Sequence, residues 1–136
     1  MPERRPQRGL VDTSVVVDLD QLDAAALPVE LAVSSVTLAE LAAGPHASTD
    51  PAERARRQDR LQRVEATLDV LPVDASVARA YGRVFAAVAS LGRRPAGRRA
   101  FDLLIAATAL ANNLPLYTRN PDDFAGLDAA ITVHAV

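Results

Sequence analysis

The sequence predicts an α/β fold, a mainly parallel five-stranded sheet flanked by helices. Two observations predict it. Short apolar runs rich in β-branched residues alternate along the chain with segments of helical spacing, which argues a parallel sheet covered on both faces. The chain has 136 residues, 49% of them hydrophobic, which suits one domain with one sizeable core, and residues 1–136 are read as a single domain.

The elements follow in order. Leu10-Val11-Asp12 reads as a short buried strand, and Thr13 or Ser14 can cap a helix running to about Leu22. Residues 29–36, VELAVSSV, read as a second strand. Residues 37–44, TLAELAAG, read as a short helix closed by Gly44 and Pro45. Asp50-Pro51-Ala52-Glu53 marks a strong helix start, with proline at the first helical position and an acid three residues past the cap. That helix runs to about Thr67. Residues 68–74, LDVLPVD, give a third strand, after which Asp74 caps a helix to about Leu91. GRRPAGRR reads as a basic loop, followed by a nearly all-apolar helix over 102–112 that Asp102 opens. The fourth and fifth strands are 114–118, LPLYT, and 131–136, ITVHAV; TRNPDDF between them is a loop or short helical turn.

Charge and composition exclude several functions. There is no cysteine, so disulfides and thiolate metal sites are out. All fifteen basic residues are arginine, and a P-loop needs its lysine. No stretch approaches a membrane span, and the basic N-terminus leads into no signal-peptide core, so a soluble, cytoplasmic protein is expected. Net charge is −2, so the whole chain carries no basic footprint. Two local clusters of arginine do stand out. Arg54, Arg56, Arg57, Arg60 and Arg63 read as a solvated helix face; Arg93, Arg94, Arg98 and Arg99 can hold phosphate.

The acids are the informative residues. In open α/β sheets, ligands bind beyond the carboxyl ends of the strands. Asp12 ends the first strand, Glu40 follows the second, Asp102 precedes the fourth, and Asp122 and Asp123 follow it. Each has an ordinary structural reading. Asp12 and Asp102 can cap helices, Thr37 and Glu40 form a capping box, and Asp122 and Asp123 suit a turn. What sets them apart is their agreement in position. Carboxylates gathered there repel one another, and a hard divalent cation such as Mg²⁺ relieves that repulsion. His46 and His134 are isolated, Asp18, Asp20 and Asp23 are expected to face water, and Tyr81, Phe85 and Phe101 are expected in the core. Ser14 lacks the glycine elbow of a serine hydrolase. A haloacid-dehalogenase-like phosphatase wants a second Asp where Ser14 stands, and both that class and receiver domains rely on a lysine.

LVDTSVVVD, SSVTLAELAAG and DLLIAATALANNLPLYTRNPDDF, in this order, resemble a PIN-domain ribonuclease, more narrowly the VapC-type toxins of type II toxin–antitoxin pairs. With VLPVDASVARAYGRV and the closing strand, the resemblance covers nearly the whole chain. It implies a PIN-like three-layer fold and a metal-dependent endoribonuclease that cleaves cellular RNA to inhibit translation and growth. The implied catalytic acids are Asp12, Glu40, Asp102 and Asp123, with Asp12 and Asp102 as ligands to Mg²⁺ or Mn²⁺. Family members often carry an acid where this chain has Asn120, so Asn120 and Asp123 compete for the fourth place. Thr13 and Ser14 are expected to hold Asp12, Thr118 and Asn120 to support the fourth acid, and Arg119 to meet substrate phosphate. The implied partners are RNA, a cognate VapB-type antitoxin and a second copy of the chain, giving a homodimer and a heterotetramer or larger with antitoxin. The alternative is a catalytically inactive PIN module that binds RNA or protein.

Overall fold

The computed structural model describes residues 7–93, 95 and 97–136. Its five strands are β1 (Arg8–Val11), β2 (Glu30–Ser34), β3 (Asp69–Leu71), β4 (Leu116–Thr118) and β5 (Val133–Ala135). Every pairing is parallel, and the spatial order is β3-β2-β1-β4-β5. The expected α/β sheet is therefore present, with β1 at its centre.

Alternation along each strand divides the core in two. Leu10, Ala32 and Leu116 point to one face, where they meet Val84 of α4 (Ala75–Ala89) and Leu103 of α5 (Arg98–Ala111). Val11, Val33 and Tyr117 point to the other, with Val15 and Val16 of α1 (Thr13–Val17), Leu41 of α2 (Ser35–Ala43) and Val64 of α3 (Pro51–Thr67). A fully buried valine or leucine contributes about 1.5–3 kcal/mol, so these two clusters are what fix the layers. Gly9 of β1 allows a close approach: a Cβ there would stand 2.6 Å from the Tyr117 ring, which stacks on His134 at 4.7 Å.

Several boundaries differ from the sequence reading, each for a physical reason. α1 stops at Val17, well short of Leu22, and Asp12 caps it by accepting from the Val15 N–H at 3.2 Å. β2 ends at Ser34, whose hydroxyl caps α2 by accepting from the Val36 N–H at 3.1 Å. Thr37 is therefore inside the helix and fully buried, and the Thr37–Glu40 capping box does not form. α5 begins at Arg98, so Asp102 lies in the second turn and cannot cap it. Arg98-Arg99-Ala100 are ordinary helix formers once Gly97, at φ 58°, has turned the chain. α3 runs from Pro51 to Thr67 as its punctuation implies. Phe85 and Phe101 are not core residues: they are 41% and 50% exposed, while Tyr81 is half-buried. No helix of the described residues is long and apolar enough to cross a membrane.

Candidate active site

The strand order reverses direction between β1 and β4. The chain builds outward from β1 through β2 to β3, then crosses back to add β4 and β5 on the other side. Such a switch point leaves a crevice at the carboxyl ends of the two central strands. Asp12 follows β1 there, and Thr118-Arg119-Asn120 closes β4 beside it.

Asp12 is 6% exposed, and a buried carboxylate needs partners. Besides the Val15 N–H, it accepts from the Ser14 hydroxyl at 2.6 Å. The Ser14 oxygen in turn accepts from the Arg119 N–H at 3.1 Å. Ser14 thus ties Asp12 to the end of β4. The Arg119 guanidinium donates to Asp18 at 2.8 Å, so Asp18 does not simply face water. Asp20 also has a partner, Arg63 at 3.5 Å, and Asp23 caps a short 3₁₀ turn. Thr118 is fully buried and accepts from the Asn120 N–H at 3.0 Å.

Thr13 does not hold Asp12. Its oxygen lies 2.9 Å from Glu40 Oε1 and 3.1 Å from the Thr37 hydroxyl. A hydroxyl has one proton and an ionised carboxylate only accepts. Thr13 therefore gives its proton chiefly to Glu40, the nearer and charged acceptor, with the Thr37 oxygen as a second acceptor beside it. Sequence reasoning missed Thr37 as part of this chain of hydroxyls; its place three residues before Glu40 was the available signal, misread as a cap.

Asp102 records the meeting of the acids. Its pKa is pushed up from 3.8 to about 6, first by burial, then by the negative charge of Asp123, with smaller contributions from Asp12 and Glu40. Arg98, one turn earlier on α5, opposes the rise. Carboxylates from three other segments thus act on Asp102. Asp123 takes part through its charge, while Asn120, exposed on the same turn, has no charge to contribute. Asp122 is exposed and absent from the charges acting on Asp102. Of the basic loop, Arg93 is exposed and Arg99 half-buried; Arg94 lies outside the described residues.

The donor set suits a hard cation. Among these acids there is neither imidazole nor thiolate, only carboxylate oxygen, and the repulsion on Asp102 is what a divalent ion would relieve. Among the described residues, no three carboxylate or imidazole groups already converge on one ion-sized point, so the acids meet through their fields rather than as a closed cage.

An all-parallel sheet with Asp12 at its switch point places this chain among α/β proteins that carry a carboxylate at the end of the central strand. The chain belongs to the PIN-domain family, whose model matches residues 9–130, and to its VapC ribonuclease branch. It is 41% identical to Ribonuclease VapC5 of Mycobacterium tuberculosis over 134 residues, 96% of each chain. Ribonuclease VapC8 of the same species is 38% identical over 102 residues, 74% of this chain and 89% of the relative. Among solved structures, VapBC-5 of M. tuberculosis, a member of the VapBC family of toxin–antitoxin systems, matches with a TM-score of 0.83, covering 96% of this chain and 98% of that one. VapBC2 of Rickettsia felis, bound to a promoter DNA fragment, matches with a TM-score of 0.75 at 23% identity, covering 95% and 98%.

Proposed function

We propose that this chain is a metal-dependent endoribonuclease, the toxin of a toxin–antitoxin pair, cutting phosphodiester bonds in cellular RNA. The observation that carries the proposal is that Asp12, Glu40 and Asp123 all act by charge on half-buried Asp102, with Asp12 standing at the end of the central strand β1. The relatives named as VapC ribonucleases, and the similarity to a toxin solved within VapBC-5, support both the reaction and the antitoxin partner.

In this reading Asp12 and Asp102 hold the ion, Mg²⁺ or Mn²⁺. A bound ion would polarise the scissile phosphate and lower the pKa of a water for in-line attack. Ser14 fixes the rotamer of Asp12, and Thr13 fixes that of Glu40, leaving the second Glu40 oxygen to orient the attacking water. Asp123 completes the acidic set, with Thr118 holding the turn that carries Asn120. Arg98 and Arg119 share a cleft with Ser14 and Asn120 and would meet substrate phosphate, Arg119 by exchanging its bond to Asp18, with Arg93, Arg94 and Arg99 nearby in the sequence. The exposed rings of Phe85 on α4 and Phe101 on α5 offer apolar surface for pairing two copies of the chain.

The test is incubation of antitoxin-free protein with total RNA and Mg²⁺ or Mn²⁺. Discrete cleavage that disappears with EDTA and in Asp12→Asn is the expected result. Absence of both cleavage and metal binding would overturn the proposal in favour of a module that binds without cutting.

A further inference from the structure

Two clefts adjoin across the start of α1. One, of about 460 Å³, is lined by Ser14, Asp18, Arg98, Arg119 and Asn120. The other, of about 280 Å³, is lined by Glu40, Gly44, Glu53, Arg57 and Arg60. Thr13 and Val17 line both, so the clefts share a wall. Thr13 is the residue that donates to Glu40, so the shared wall carries the side chain that holds one of the acids.

The α3 arginines are not alike. Arg56 bonds Glu53, Arg63 faces Asp20, and Arg54 is exposed; these fit a solvated helix face. Arg57 lies toward the cleft but is committed, donating to Glu53 at 3.0 Å and to the Gly44 carbonyl at 2.8 Å. Arg60 is half-buried, yet has neither ion pair nor hydrogen bond among the described residues. It also lines an apolar hollow with Val16, Val64 and Leu68. An arginine that borders apolar surface and an open polar cleft rests its stem on the first and offers its guanidinium to the second.

We infer that Arg60 holds a backbone phosphate of the RNA strand, next along from the one being cut. The inference rests on the ribonuclease reading. The cleft that Arg60 lines is also lined by Glu40, an acid of the proposed site. A cut phosphate at the acids leaves its neighbour needing a counter-charge, and Arg60 is the uncommitted cation of that cleft. Arg98 and Arg119 line the cleft on the other side of Thr13 and Val17. Arginines on two adjoining clefts, Arg98 on one and Arg60 beside Glu40 on the other, fit a polyanion, because phosphates repeat along the strand and only one of them reacts. Arg fits the task, since its planar fork matches two phosphate oxygens.

The experiment uses full-length protein. Binding of a mixed-sequence single-stranded RNA is measured in an Asp12→Asn background over a range of KCl, with Arg60→Gln, Arg60→Lys and Arg54→Gln added. Glutamine keeps most of the stem, and lysine keeps the charge. Arg60→Gln is expected to weaken binding about tenfold, the scale of one charge-assisted contact. It should also lower the slope of log affinity against log salt by about 0.7, the loss of one phosphate contact on a single strand. Arg60→Lys should retain the slope, and Arg54→Gln both slope and affinity. With Asp12 intact, Arg60→Gln should raise KM and spare kcat. An Arg60→Gln protein with the parent's slope and KM would overturn the inference while leaving the ribonuclease reading intact. Weakened antitoxin binding with unchanged RNA binding would overturn it by assigning Arg60 to a protein contact. A parent that neither binds nor cuts RNA would overturn both.

Discussion

Thr13 donates its hydroxyl proton to Glu40 at 2.9 Å and lies 3.1 Å from the hydroxyl of buried Thr37, so one side chain aims an acid of the proposed site and partners a core hydroxyl. Thr13→Val keeps the shape and removes both bonds. A buried hydroxyl left without a partner costs about 1–3 kcal/mol, and a misaimed supporting residue costs about ten- to a hundredfold in activity. Thermal unfolding and RNA cleavage should both fall in Thr13→Val and largely recover in Thr13→Ser. Unchanged melting would show that Thr37 finds another partner.

Asp12 caps α1 and in the proposed reaction also holds the ion, and different substitutions separate the two. Asparagine caps helices about as well as aspartate, whereas alanine at such a position costs about 1 kcal/mol. Asp12→Asn should therefore abolish cleavage with little loss of stability, and Asp12→Ala should lose both. Denaturant midpoints for the two variants measure the difference. Equal destabilisation in both would tie the charge itself to the fold.

Stability should depend on pH through Asp102. Its carboxyl has a folded pKa of about 6 against an ordinary 3.8. Between those values the folded chain binds more protons than the unfolded one, so stability falls as pH rises through that window. The relief is fully present below 3.8 and lost above about 6. Asp102→Asn removes this dependence and should raise the midpoint at pH 7 relative to the parent. Partial solvent exposure screens the effect, so the direction is the prediction. A midpoint for Asp102→Asn below the parent's at pH 7 would contradict it.

Mg²⁺ should act in the opposite sense to acid. An ion bound only by the folded chain stabilises it in proportion to the logarithm of occupancy. Added Mg²⁺ should raise the melting temperature more at pH 7.5 than at pH 5, where protons compete for Asp102. The shift should vanish in Asp102→Asn. Persistence of the full shift in that variant would move the ion away from Asp102.

Legibility from sequence followed local chemistry. α3 was readable to its first residue because Asp50, Pro51 and Glu53 each act within one turn. The parallel sheet was readable because its strands are apolar on both faces. α5 began earlier than expected because its start is set by the backbone of Gly97, with no side-chain cap to announce it. The bond from Thr13 to Glu40 joins residues 27 apart in the chain, and it exists only because Ser34, three residues ahead of Thr37, takes the capping position. Glu40 was legible as a candidate acid, but the hydroxyl that holds it was not. Asp18 was assigned to water because its partner, Arg119, arrives from the far end of the chain.

The central place of β1 also sets a timetable. A ribosome that has released residues through Ala89 has made Asp12 and Glu40, but neither Asp102 nor Asp123. β1 is then bare along the edge that β4 will cover. Synthesis runs from the N-terminus, so the four acids of the proposed centre are all present only once the closing strands emerge.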